Sequence, residues 1–226
     1  MKLFLSCEHG GNVVPPSYQS IFSDAEKVLN SHRGWDIGAL ELFNVLRQCE
    51  AHFSDYSVVT RLLVDLNRSL HRKTLFSEFT RHLNNREMGL ILTEFYHPFR
   101  NRFFNSVSEV TAKGEDVFHI SVHSFTPELN GEVRNADIGL LYNPSHANEK
   151  EIAGQWKLML KKYLPHFKIR FNYPYLGKTD GHVAPLRIAF GNRYNGIEFE
   201  LNNKHAGETE VMNGIRKSLV ELLGVF

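Results

Sequence analysis

Residues 3–15 read LFLSCEHGGNVVP, and this stretch decides the fold. Leu3, Phe4, Leu5 and the small Cys7 suit a strand buried on both faces, the kind a parallel sheet uses. The apolar run stops at Glu8, His9, Gly10, Gly11 and Asn12. A carboxylate and an imidazole are therefore delivered at a strand end. The two glycines after them permit either a tight turn or a close approach of backbone to a ligand. In open α/β sheets, ligands bind beyond the carboxyl ends of the strands.

The same alternation continues down the chain. Short runs rich in Val, Ile and Phe predict strands at 2–7, 57–60, 117–123, 138–142, 168–172 and 196–201. Helical spacing predicts helices at 36–48, 86–112, 149–163 and 208–223. In the second helix Leu92, Phe95, Phe99 and Phe103 share a face, as core residues do, and Pro98 marks a kink. Strands alternating with helices predict an α/β fold. It is a single domain over 1–226, with a mostly parallel, mixed central sheet and helices on both faces. Residues 172–187, NYPYLGKTDGHVAPLR, read as a long surface loop, and such loops in compact domains are usually functional.

Composition narrows the function. A net charge of +1 and the lack of a basic run give no general attraction to nucleic acid or to an acidic membrane. No apolar run approaches the roughly 20 residues of a membrane span. Only five residues precede polar Ser6, too few for a secretory apolar core. Cys7 and Cys49 have no metal-site spacing and read as free thiols in a reducing compartment. A cytoplasmic protein is expected. Nothing here sets the oligomeric state.

Chemistry collects at the strand ends. His9 follows the first strand, VDLNR (64–68) follows the second, and His123 closes VFHISVH. Glu198 and Glu200 alternate with Ile197, Phe199 and Leu201, so the two carboxylates share one face. Each residue alone has an ordinary reading. A strand-end histidine often serves only as a hydrogen-bonding residue. Asp36 is a natural helix N-cap, Asp65 and Arg68 suit a local ion pair, and either glutamate could face an arginine. Zinc accounts for them jointly. A catalytic site takes three ligands from His, Asp or Glu and leaves a fourth position for water. A nearby carboxylate accepts the proton of that water, and arginine holds a substrate carboxylate. Such a ligand set also accepts iron or manganese.

Five segments in this order, CEHGG (7–11), HRGWDIGALELF (32–43), RLLVDLNRSLH (61–71), SVHSFTP (121–127) and GIEFELNN (196–203), resemble the N-formylglutamate amidohydrolase family. That family is similar to the zinc carboxypeptidases, and the resemblance implies a fold like theirs and that of phosphorylase/hydrolase-like proteins. It implies that His9 and His123 bind zinc, that Glu200 is the general base, and that Asn67 and Arg68 grip the carboxylate of an amino-acid-like substrate. Carboxypeptidases take their remaining ligand from a glutamate three residues after the first histidine, where this chain has Asn12. The amidohydrolases have an aspartate at the start of the following helix. Asp36 matches it and is the expected third ligand, with Glu8 in reserve. Arg134 is a further candidate for the substrate's other end or the developing oxyanion, and His182 for a hydrogen bond to substrate. The expected activity is zinc-dependent hydrolysis of the amide of N-formylglutamate or a similar N-acyl amino acid. The alternatives are a zinc peptidase or amidase acting on a peptide or cell-wall amide, and a non-catalytic binding module on the same fold.

Overall fold

The computed structural model describes residues 1–225. In chain order the strands and helices are β1 (Lys2–Cys7), α1 (Glu26–Leu29), α2 (Ala39–Leu46), β2 (Phe53–Tyr56), α3 (Asn85–Ile91), α4 (His97–Ala112), β3 (Val117–Phe125), β4 (Glu128–Leu129), β5 (Glu132–Val133), β6 (Ile138–Leu141), α5 (Ala147–Tyr163), β7 (Ile169–Phe171), α6 (Val183–Phe190), β8 (Tyr194–Asn202) and α7 (Thr209–Leu223). The main sheet has the order β2-β1-β3-β8-β6-β7, with β4 and β5 forming a separate hairpin. Its neighbours pair in parallel except β6 and β8, so the amino end of β6 meets the carboxyl end of β8.

Period two sorts the side chains of the central strands into two classes. On one face Leu3, Leu5 and Cys7, then Phe118, Ile120 and Val122, then Ile197, Phe199 and Leu201 join the largest apolar cluster with α2, α5 and α7. On the other face Phe4, Val117 and Tyr194 pack against Phe103, Val107 and Val110 of α4 and Val183 and Leu186 of α6. That second face turns polar toward the carboxyl ends. Register sets Ser6 beside Ser121, Ser121 beside Glu198, and His123 beside Glu200. Apolar packing therefore ends where the polar rows of β1, β3 and β8 begin.

Several boundaries depart from the expectation. The strand placed at 57–60 lies at Phe53–Tyr56. Residues 57–60 instead run extended beside the loop after β1, with one bridge from Val13 to Val59. The paired glycines explain this proximity. A Cβ on Gly10 would sit 2.9 Å from the Ser57 carbonyl, and one on Gly11 2.7 Å from that of Val58. Their close approach is to protein backbone. The helix expected at 86–112 is α3 and α4 joined by a π-helical stretch, Leu92–Tyr96, which ends just before Pro98. The loop of 172–187 ends in α6, whose Pro185 lies in the first turn, where a missing N–H costs nothing. Among the described residues no helix is long and apolar enough to cross a membrane.

Candidate metal centre

The backbone carbonyl of His9, the second residue past β1, accepts a hydrogen bond from the Asp36 amide at 2.9 Å. This bond brings the 34–38 segment to the end of the sheet. Asp36 does not cap a helix. Gly38 takes a φ of 84°, a value that favours glycine, and α2 starts only at Ala39. The Asp36 carboxylate is thus left to face the sheet, where it meets both imidazoles. Its Oδ2 is 2.8 Å from His123 Nδ1 and 3.5 Å from His9 Nδ1.

The far nitrogen of each ring is also held. His9 Nε2 lies 2.7 Å from Asp65 Oδ1, and His123 Nε2 lies 2.9 Å from Ser121 Oγ and 3.2 Å from Glu8 Oε2. Metal-binding histidines are commonly oriented in this way by a carboxylate on the other ring nitrogen. Arg61 spans the two aspartates, at 3.1 Å from Asp36 and 2.9 Å from Asp65. Asp65 therefore pairs with Arg61, four residues before it, rather than with Arg68. Arg61 was given no role from sequence. Its spacing from Asp65 was visible, but its second partner, Asp36, comes from a separate segment.

Electrostatics in this buried cluster are pronounced. Burial pushes the Asp36 carboxyl up, but the neighbouring His9, His123 and Arg61 outweigh it and hold the group well below the usual carboxylate range. Asp65 is treated similarly by burial against Arg61 and His9, and Glu8 by burial against His123 and Ser6. Glu200 goes the other way. Burial, opposed by His123 but reinforced by Asp36 and Glu198, raises it to about 8. Among the described residues its Oε2 has no hydrogen-bond partner, and neither does His9 Nδ1.

These features fit a divalent cation. Donor atoms of His9, Asp36 and His123 lie within 4.8 Å of one another. His9 Nδ1 is an orphaned acceptor or donor aimed at the same Asp36 oxygen as His123 Nδ1. With His123 deprotonated, as a ligand must be, Glu8, Asp36 and Asp65 against the guanidinium of Arg61 leave two negative charges, which a divalent cation cancels. A second cluster, Glu8, His119 and His182, meets the same distance limit but does not line the cavity.

The cavity over the first cluster has a volume of about 330 Å³. Of the residues expected from sequence, His9, Asp36, Asn67, Arg68, His123, Arg134 and Glu200 all line it. Arg134 is held there by Tyr175, whose hydroxyl accepts from its guanidinium at 3.1 Å. His32, Arg33, Arg61 and Tyr175 line it as well and were not anticipated. His182 is placed differently from expectation. Its ring is buried against Phe99, Phe103 and His119, away from the cavity, and only its backbone N–H reaches the site, donating to Asn67 Oδ1. A loop position told nothing about which way the ring turns. Asn12 bonds Leu29 and Asn30, and Glu8 lies behind His123, so neither lines the cavity.

The model of a family described as N-formylglutamate amidohydrolase matches residues 1–205. A crystal structure of a gene product from Agrobacterium tumefaciens is similar with a TM-score of 0.80 and 26% identity, covering 99% of this chain and 89% of that one. The structure of N-formylglutamate amidohydrolase from Ralstonia eutropha JMP134 is similar in fold, with a TM-score of 0.67 and 15% identity over 98% of this chain and 91% of that one. Curated protein sequences give no match.

Proposed function

The chain belongs to the N-formylglutamate amidohydrolase family, and on that premise we propose that it is a zinc-dependent hydrolase of N-formylglutamate or a closely similar N-acyl amino acid. The observation that carries this reading is the convergence of His9 Nδ1 and His123 Nδ1 on one oxygen of Asp36, at the floor of a cavity that also holds Glu200. His9, Asp36 and His123 would hold the ion. Zinc bound there would supply Lewis-acid polarisation of the scissile carbonyl and acidify a water.

The remaining chemistry belongs to side chains of this chain. Glu200 accepts the proton of the water as its oxygen attacks the acyl carbon, and returns that proton to the nitrogen as the C–N bond breaks. The products are the carboxylic acid and the free amine. A carboxyl tuned to about 8 suits both halves of this transfer. Arg68 and Arg134, at the cavity wall, bind substrate carboxylate, and Asn67 orients beside them. The small cavity supports an amino-acid-sized substrate. Two unpaired cysteines, Cys7 buried and Cys49 half-buried, are in keeping with work in the cytoplasm.

A second reading takes a short acidic peptide as substrate. It is favoured by a groove of about 600 Å³ that shares Arg68, Thr179 and Asp180 with the cavity and adds His71, Arg72 and Lys73. Metal analysis combined with hydrolysis of N-formylglutamate, with and without chelator, tests the main proposal. One zinc per chain and chelator-sensitive release of formate are expected. Protein that retains no ion after incubation with zinc sinks it. A panel of N-acyl amino acids and dipeptides separates the two substrates.

A further inference from the structure

Behind the cavity floor, the polar row of β1 and β3 continues into a compartment closed to solvent. Ser6, Glu8, His119, Ser121 and Tyr194 are all buried there. Their hydrogen-bond directions are fixed from one end. A carboxylate only accepts. Glu8 Oε1 accepts from Ser6 Oγ at 2.5 Å, and Oε2 from Ser121 Oγ at 2.8 Å. The Ser6 proton is thereby committed, so Ser6 Oγ accepts from His119 Nε2, 2.7 Å away. His119 Nδ1 is left to accept from the Tyr194 hydroxyl. Reversing this chain would put Ser6 Oγ against Glu8 Oε1 with no hydrogen between two oxygens. The same reasoning reaches His123. Its Nε2 lies near Ser121 Oγ, whose proton is already directed to Glu8, and near Glu8 Oε2 itself. Nε2 must carry a hydrogen that Glu8 retains, so Nδ1, which donates to the Asp36 carboxylate in the metal-free protein, is the nitrogen that can exchange its proton for a cation.

We propose that Glu8 is the positioning residue for His123. Anchored by Tyr194, His119, Ser6 and Ser121, it holds the imidazole as its Nε2–H form and so presents Nδ1 to a cation. This rests on the metal reading of His9, Asp36 and His123. Two adjacent residues then serve different ligands, since His9 offers its own ring while Glu8 orients the ring contributed by β3. Period two makes this possible, because Glu8 continues the Ser6 side of β1 and meets the His119, Ser121 and His123 side of β3.

The test uses the full chain and zinc alone. Glu8→Gln keeps the shape but offers an amide hydrogen where an acceptor stood. It is expected to weaken zinc binding about 10–100-fold. In proton NMR of the zinc-loaded protein, the low-field signal of the His123 Nε2–H should move in this variant, while that of the His9 Nε2–H, held by Asp65, should stay. Ser6→Ala interrupts the chain one residue earlier and leaves Glu8 in place, so it serves if Glu8→Gln does not fold. A loss of roughly 3–10-fold is expected from it. Either folded variant with wild-type zinc affinity and an unmoved His123 signal overturns the proposal. Wild-type protein that binds no zinc overturns the metal reading instead. The Nε2–H signal of metal-free protein, compared between wild type and Glu8→Gln, still decides the role of Glu8.

Discussion

Glu200 combines two properties that conflict in a purely structural residue: it is buried, and one of its oxygens has no partner among the described residues. Its folded-state value of about 8 lies above the roughly 4.3 of an unfolded glutamate. Between those pH values the folded protein holds a proton that the unfolded chain has lost. Stability therefore falls as pH rises from about 4.3 to 8, and the full cost stands above 8. In the metal-free protein, Glu200→Gln is expected to gain about 1–3 kcal/mol at alkaline pH, a difference that closes toward pH 5 in thermal melts. The same substitution should lower kcat about 10²–10⁴-fold with zinc content unchanged. Unchanged hydrolysis would show that Glu200 is not the base. Arg61 supplies a second test. Arg61→Ala leaves Asp36 and Asp65 facing each other without their shared cation, and denaturant melts should register a loss of about 1–3 kcal/mol. Strand periodicity made the strand-end place of His123 and the shared face of Glu198 and Glu200 legible, while the choice of Glu200 between the two came only with the family resemblance. Arg61 and His182 could not, because what they touch is set by segments 25 and more residues away.

Elements carry their own constraints. Gly139 of β6 stands opposite Glu200 in register, and a Cβ there would overlap the Tyr173 carbonyl and lie 3.2 Å from Glu200 Cβ. Gly139→Ala should cost about 1–3 kcal/mol in melts and reduce kcat as well, because the displaced strand carries the base with it. At the start of β6, Asp137 ties three segments together. It accepts from the Lys168 amide and pairs with Lys204 and His205. Burial raises this carboxyl, but the His205 and Lys204 contacts prevail and bring it to about 2. Its stabilisation is present above the unfolded value near 3.9 and is lost as pH falls through about 2. Asp137→Asn should cost about 1 kcal/mol at neutral pH, discounted for partial exposure, and the difference should close as pH falls through about 2. Most strands and long helices were legible, since their apolar period is strong. The shift of β2 was not. Its sequence, FSDY, is half polar, while the β-branched run after it looks more strand-like yet serves as a wall for Gly10 and Gly11. Helix α6 stayed hidden because Gly181 and Pro185 read as loop punctuation.

At the scale of the whole molecule, a bound ion is a folding partner. Zinc at 100 times its dissociation constant should add about 2.7 kcal/mol, raising the melting temperature by roughly 5–10 °C in a domain of this size. His123→Ala should abolish that increment. His123 must also give up a proton to become a ligand. Burial lowers its pKa, but hydrogen bonds to Asp36 and Glu8 win and raise it well above the ordinary imidazole value. Zinc affinity should therefore weaken as pH falls from about 8 to 6 in competition titrations. The reversed strand β6 has an implication for how such an enzyme diversifies. A parallel strand would have required the chain leaving β3 to travel to the opposite edge before re-entering the sheet. Reversal lets residues 126–137 leave and return at the same edge, as a short hairpin that brings Arg134 over the cavity. This hairpin can be exchanged like a cartridge, with its anchors on β3 and β6 kept. Grafting a different sequence into 128–133 should alter KM and substrate preference while kcat for accepted substrates persists.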